Sequence, residues 1–192
     1  MYQPSNWLDP LDWAAVFAAP NQPVEIDVGC GKGGFLLWSA ATRPATNFLG
    51  VERQLIRLRK VDKKILDRQL TNVRLLRVEA GYLVGKLIPA QSVTAYHIFF
   101  PDPWPKRRHQ ARRLFQPAFV LELHRTLRPG GTVNVATDDL DYFSQMQKVM
   151  RGSGWFQETV APALPVEAQT EFEKIFLAKG RSIGRAKFLV ES

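Results

Sequence analysis

The sequence predicts an α/β protein with a mostly parallel sheet, helices on both faces, and an antiparallel pair of strands at its C-terminal end. Three observations point there. Strand-like apolar runs alternate with helical ones from Val24 onward, a glycine-rich stretch sits directly between the first such strand and its helix, and after "GSG" the alternation gives way to "WFQETV" and "GRAKFLV". Alternation of this kind buries parallel strands between two helical layers. In open sheets of that type ligands sit at the carboxyl ends of the strands.

Taken in order, Asp9 and Pro10 have the form of an N-cap with proline at the first helical position, leading into "LDWAAVFAA". A short helix segment over residues 1–22 is expected before a core over 24–192, with the whole chain forming a single domain. "VEIDVG" and "NFLGVE" read as strands around the helical "FLLWSAA", and a basic helix from Arg53 to Arg68 leads to "NVRLLRVEA". "SVTAYHIFF", "AFVLELHRTL", "TVNVATD" and "YFSQMQKVM" continue the alternation, with "RPGG" as a turn between a helix and a strand.

Composition narrows the function. The chain has 192 residues, a single cysteine (Cys30), and three histidines at positions 97, 109 and 124, with no metal-ligand spacing among them. No metal is expected. The N-terminal "MYQPSNWLDP" lacks a basic and an apolar leader region, and no apolar run approaches a membrane span, so a cytoplasmic protein without a membrane partner is expected. The net charge of +8 makes a polyanion, first of all nucleic acid, the expected partner.

In "VEIDVGCGKGGF", Gly29, Gly31 and Gly34 satisfy a dinucleotide fingerprint, whereas Asp27, Gly29, Gly31 and Gly33 match the first motif of S-adenosylmethionine (SAM) methyltransferases. The acids favour the second reading. Glu25 and Asp27, two apart on a strand, face one side, where they would repel a pyrophosphate and attract a ligand carrying an ammonium and a sulfonium. Glu52 ends the second strand, placed to accept ribose hydroxyls, and Glu79 is expected to end the third, within reach of an adenine amino group. Asp102 follows the fourth strand between Pro101 and Pro103, with Trp104 offering a surface for packing or for stacking a base. Lys106, Arg107, Arg108, Arg112 and Arg113 then form a dense positive run that is either a solvated face or a phosphate-binding one. Asp138, followed by Asp139, either faces a ligand at a strand end or caps the next helix; Thr170 and Glu173 have capping-box spacing.

"FPDPWPKRRHQARR", together with "DVGCGKGGF", "GVE", "ATD" and "TEFEKIFLAKG", resembles the bacterial tRNA (guanine-N7)-methyltransferase family from about Val24 to the end of the chain. The resemblance implies a Rossmann-like SAM-dependent methyltransferase fold and methyl transfer from SAM to N7 of a guanine in the tRNA variable loop. It also implies cofactor contacts at Glu25, Glu52, Glu79 and Asp102 with the glycine loop around Gly29, a catalytic role for Asp102, and tRNA contacts at Lys106, Asp138 and Thr170 to Glu173. Two positions depart from the family pattern: Glu79 stands where aspartate is usual, and Ile175 where a basic residue is usual. Two alternatives stay open, a non-catalytic RNA-binding relative and a nicotinamide-dependent oxidoreductase.

Overall fold

The computed structural model describes residues 1–161 and 163–191. Its strands are β1 (Val24–Val28), β2 (Asn47–Val51), β3 (Val73–Leu76), β4 (Val93–Phe99), β5 (Leu127–Thr137), β6 (Phe156–Thr159) and β7 (Gly184–Val190). They form one sheet in the order β3-β2-β1-β4-β5-β7-β6. The first five are parallel, and β7 runs antiparallel to both β5 and β6. The expected closing pair is present, with β7 inserted between β5 and the edge strand.

The helices are α1 (Trp13–Val16), α2 (Gly34–Thr42), α3 (Leu55–Asp67), α4 (Ala80–Tyr82), α5 (Pro117–Thr126), α6 (Leu140–Gly152) and α7 (Glu171–Ala178). Strand alternation decides which layer each side chain meets. Val24, Ile26 and Val28 of β1 join the larger core with Val16, Leu83, Val120 and Met146, so α1, α5, α6 and the π-helical turn Leu83–Leu87 that continues α4 lie on that face. On the other face Phe48 and Leu75 pack with Leu36, Leu37, Leu58 and Val61 of α2 and α3. Glu25 and Asp27 therefore point toward this second layer, as their spacing predicts.

Three local expectations change. The first helix is one turn long and is capped by Asp12, whose Oδ1 accepts from Ala14 N at 2.9 Å, while Asp9 instead accepts from the Asn6 amide. Leu11 is buried and its backbone N donates to Leu87 O at 2.7 Å, a contact made outside any helix. The third strand stops at Leu76, so Glu79 does not end it; Glu79 caps α4 and accepts from Tyr82 N at 2.8 Å. "RPGG" lies within β5, in an irregularity of its pairing with β4 between Val93 and Ala95.

Candidate functional site at the carboxyl edge of the sheet

β1 passes into α2 through a loop in which Gly29, Gly31 and Gly33 have φ of +79°, +55° and +77°, a region that side chains beyond glycine occupy at a cost. At Gly33 the need is also steric: a Cβ there would lie 2.9 Å from Val61 Cγ1. A Cβ on Gly29 would meet nothing within 4 Å, so the loop packs tightly at its end and stays open at its start. Gly29 N and Cys30 N both donate to Val51 O, at 2.8 and 2.9 Å. No side chain caps α2, which leaves its first amides to a ligand or water.

Asp27 and Glu52 stand beside this loop, at the ends of adjacent strands, and both are buried. Burial and the neighbouring Glu52 charge push the Asp27 carboxyl up to about 7. Glu52 accepts from Gln54 N at 2.9 Å, and Arg57 approaches its other oxygen at 3.5 Å. Glu25 differs although it lies on the same face. Arg43 Nη1 sits 2.6 Å from one of its oxygens and His97 Nε2 2.8 Å from the other. Burial works to raise the Glu25 carboxyl, but the bonds and charges of His97 and Arg43 outweigh it and hold the group below its usual range. The cofactor contact that the family resemblance implies at Glu25 is thus occupied by an internal ion pair. Burial likewise lowers His97 and raises the Cys30 thiol far above its usual range, so Cys30 is a packing residue and not a nucleophile.

After β4 the chain makes a constrained turn. Phe100 and Trp104, on either side of Pro101, Asp102 and Pro103, have φ of +53° and +44°. Two non-glycine residues in the left-handed region cost of order 1–3 kcal/mol each and persist only where the surroundings enforce them. At the Phe100 end the backbone N donates to Ala136 O at 2.7 Å, and the Trp104 end is held by Arg113. It is 3% exposed; its Nε donates to Pro103 O at 2.7 Å, its Nη1 to Gln145 Oε1 at 2.6 Å and its Nη2 to Asp141 Oδ2 at 2.8 Å. The phosphate contact expected at Arg113 is corrected: its donors are spent inside the protein. Asp102 itself is exposed, as are Lys106, Arg107, Arg108 and Arg112, the last four on or just before a 3-10 turn over Arg107–Arg112. Trp104 packs edge-on to His109 and lies under the Arg112 guanidinium at 5.1 Å.

The C-terminal elements close over this edge. Asp139 is the cap of α6, accepting from Tyr142 N at 2.8 Å, which removes the capping role from Asp138. Asp138 is held by Arg181 at 2.5 Å. Thr170 caps α7, its Oγ1 accepting from Glu173 N at 3.1 Å, but the reciprocal half of a capping box is missing. Glu173 turns inward, 1% exposed, and pairs with Arg185, leaving Glu173 Oε2 and Arg185 Nε without partners among the described residues. Lys32 of the glycine loop reaches Glu171 at 2.9 Å, and Phe176 packs against Phe100 at 5.6 Å. A Cβ on Gly34 would come within 3.1 Å of Gln169 O, so glycine there lets α7 approach the loop.

The fold thus brings Asp27, Glu52, Asp102, Asp138 and Glu173 to one edge beside the glycine loop. Arg43 and His97, which hold Glu25, and Arg181 and Arg185, which hold Asp138 and Glu173, were not singled out from sequence; isolated arginines carry no spacing signal, although His97 sits opposite Asp27 in the β1–β4 register. A separate hollow of about 170 Å³ lies between Phe35, Trp38, Phe99 and Arg185, and none of Asp27, Glu52 or Asp102 lines it. Among the described residues no cluster of His, Cys, Asp or Glu has metal-binding geometry, and no helix is long and apolar enough to cross a membrane.

Comparisons with known proteins bear on the family and on the fold. A family model described as "Putative methyltransferase" matches residues 21–186. A tRNA (guanine-N(7)-)-methyltransferase of Bordetella pertussis is 37% identical over 177 residues, covering 91% of this chain and 69% of the relative. One from Geobacter metallireducens is 36% identical over 159 residues, covering 83% and 75%. Among solved structures, the antibiotic-resistance methyltransferase Kmr superposes with a TM-score of 0.66 at 19% identity, covering 95% of this chain and 94% of its own. The 16S rRNA methyltransferase KamB gives 0.68 at 16%, covering 89% of each. These two carry the fold alone.

Proposed function

Because the chain belongs to the tRNA (guanine-N7)-methyltransferase family, we propose that it transfers a methyl group from SAM to N7 of a guanine in the variable loop of tRNA. The observation that carries this reading is the set of acids at one sheet edge, with Asp102 held in a strained turn that leads directly into an exposed basic segment.

The residues present fit SAM. Asp27 and Glu52 are two buried carboxyls, and Glu52 raises the cost of ionising Asp27. Arg57 reaches only Glu52, so among the described residues Asp27 has no cationic partner, which a zwitterion bearing an ammonium supplies and a pyrophosphate does not. That difference also weighs against the nicotinamide reading. Glu52 stands at the β2 terminus for ribose hydroxyls, and Gly29 and Gly31 leave open backbone for close approach. Glu79, exposed and engaged with Tyr82 N, would reach a ligand only beside its capping role.

Bound SAM supplies an electrophilic methyl on a sulfonium. Guanine N7 has an in-plane lone pair and no proton, so the protein's residues need remove none before the bond forms. Their work is placement, which contributes up to roughly 7 to 11 kcal/mol in favourable cases. Asp102, fixed between two prolines and two left-handed residues, presents a carboxylate where positive charge develops on the purine. Asp102 and Asp138 are the acceptors for the guanine N1 and N2 hydrogens, Asp138 in exchange for its Arg181 contact, while Thr170 and Glu173, the latter turned onto Arg185 instead of the guanine, hold α7 in place beside them. Lys106, Arg107, Arg108 and Arg112 meet the surrounding phosphates. The protein acts on soluble tRNA in the cytoplasm.

The test is incubation with radiolabelled SAM and unmodified tRNA, followed by digestion to nucleosides. Label in 7-methylguanosine at a variable-loop position supports the reading; label elsewhere or nowhere overturns it. SAM binding without transfer would instead favour the non-catalytic relative.

A further inference from the structure

The positive charge of this protein is not spread over its surface. Residues 53–77 hold nine Lys/Arg against Asp62 and Asp67, residues 106–113 hold five and no acid, and the rest of the chain, with twelve Lys/Arg against sixteen acids, is net negative. The second segment is the basic turn already placed beside Asp102. The first, which is α3 and its flanks, supports the site described above from its inner side, through Gln54 N and Arg57 at Glu52, Val61 beneath Gly33 and Lys64, which donates to Lys32 O at 3.1 Å; its outer side has no part there.

The helix has two distinct faces. Leu58, Val61 and Ile65 are buried against the sheet. Arg59, Lys60 and Lys63 project from the opposite side, all exposed, at spacings that place them on neighbouring turns of one ridge. None of the three forms an ion pair among the described residues, and neither do Arg53, Arg68 or Arg77. Asp62, one of the two acids on the helix, is taken by the N-terminal ammonium at 2.9 Å. The ridge is flanked by Ile56 and Leu66, 71% and 72% exposed. A row of uncompensated like charges costs self-repulsion that an anionic partner relieves.

Its position selects the partner. α3 starts three residues after Glu52, and β2, which leads into it, is two strands from β4 in the sheet order. At a strand spacing of about 4.8 Å, the ends of β2 and β4 lie roughly 10 Å apart on the same edge. From there the helix runs about 20 Å away from the reacting site. The two basic segments thus flank the cofactor residues, one beside the target base and one leading outward.

We propose that the exposed ridge of α3, centred on Arg59, Lys60 and Lys63, is a second phosphate-binding surface that engages the tRNA backbone away from the target loop. This rests on the reading that tRNA is the substrate. The ridge contacts backbone and carries no base specificity, so it raises affinity for the whole tRNA body and leaves the chemical step alone.

The test replaces all three residues with glutamine and compares this variant with wild type and with a control triple, Lys86→Gln, Arg128→Gln and Lys148→Gln, which removes the same charge elsewhere. Filter binding to full-length tRNA over a salt series should show the slope of log affinity against log salt reduced by about two to three units in the α3 variant and by less than one in the control. KM for full-length tRNA should rise at least tenfold with kcat unchanged. For a short hairpin containing only the target loop, the two proteins should have the same KM. An unaltered slope, or a loss matched by the control, overturns the proposal. If no tRNA is methylated by wild type, the functional reading fails, and the binding arm still decides whether the ridge holds RNA. If an acidic protein but no RNA competes for the ridge, the proposal is likewise overturned.

Discussion

Replacing Asp27 with asparagine tests the electrostatics of the cofactor site most directly. The Asp27 carboxyl is raised from 3.8 to about 7, first by burial and then by the Glu52 charge. A rise of about three units corresponds to a penalty on the order of 4 kcal/mol for carrying the ionised group in the folded protein. The sign follows from proton counting. Between about pH 4 and pH 7 the folded chain keeps a proton that the unfolded chain has released, so stability falls as pH rises through that window and levels off above it. The Asp27→Asn variant should match wild type near pH 4 and exceed it by up to a few kcal/mol at pH 8, less whatever the buried amide costs, as read by denaturant unfolding at both pH values.

The same group governs cofactor affinity in the proposed site. If the SAM ammonium pairs with ionised Asp27, about half the sites are competent at pH 7 and about a tenth at pH 6, so Kd should weaken roughly tenfold per unit below 7. Above about pH 8 the ammonium itself deprotonates, and affinity falls again. Calorimetric titration of SAM from pH 5.5 to 8.5 should therefore give a bell-shaped profile, and Asp27→Asn should lose its acid limb. A wild-type affinity that is flat between pH 5.5 and 7 would refute the assignment of Asp27 as the ammonium partner.

Three further outcomes are expected. Asp102→Ala should leave tRNA affinity within a few-fold and lower the single-turnover rate by about 10²–10³, and an unchanged rate would remove Asp102 from the chemistry. Arg113→Gln should cost about 1–3 kcal/mol of stability by releasing Pro103 O and the turn it anchors, whereas Arg112→Gln should leave stability within about 0.5 kcal/mol and reduce the salt slope of tRNA binding by about one unit. Glu25→Gln should behave oppositely to Asp27→Asn: its depressed carboxyl contributes stability above its ordinary 4.5 that is lost as pH falls, so the variant's deficit at pH 7 should shrink in acid unfolding series.

Much of this architecture was legible because it is written in short-range pattern. The β/α alternation, the glycine loop and the strand-end acids Asp27 and Glu52 are all read from spacings of a few residues, and the structure places each where its spacing predicts. Asp102 was legible for the same reason, through the prolines beside it. What escaped depends on partners far apart in the chain. Arg113 looks like one of five equivalent charges until Pro103, Gln145 and Asp141 converge on it. Glu173 has the spacing of a capping box, but Arg185 turns its carboxylate inward. Asp138 and Asp139 are indistinguishable as caps until one finds Tyr142 N and the other Arg181.

Glu25 and Asp27 show how such partners divide the work of two similar acids. Both lie on one face of β1, and period-two spacing assigns them a common environment. Arg43 enters from the end of α2 and His97 from β4, and together they occupy both oxygens of Glu25. With Glu25 so engaged, its contribution is to tie β1, α2 and β4 beneath the glycine loop. Asp27 has Glu52 as its principal charged neighbour, and that contact opposes ionisation. Of the two, Asp27 is the acid with electrostatic strain for a cationic ligand to relieve, and in the proposed site the ammonium pairs with it, not with Glu25.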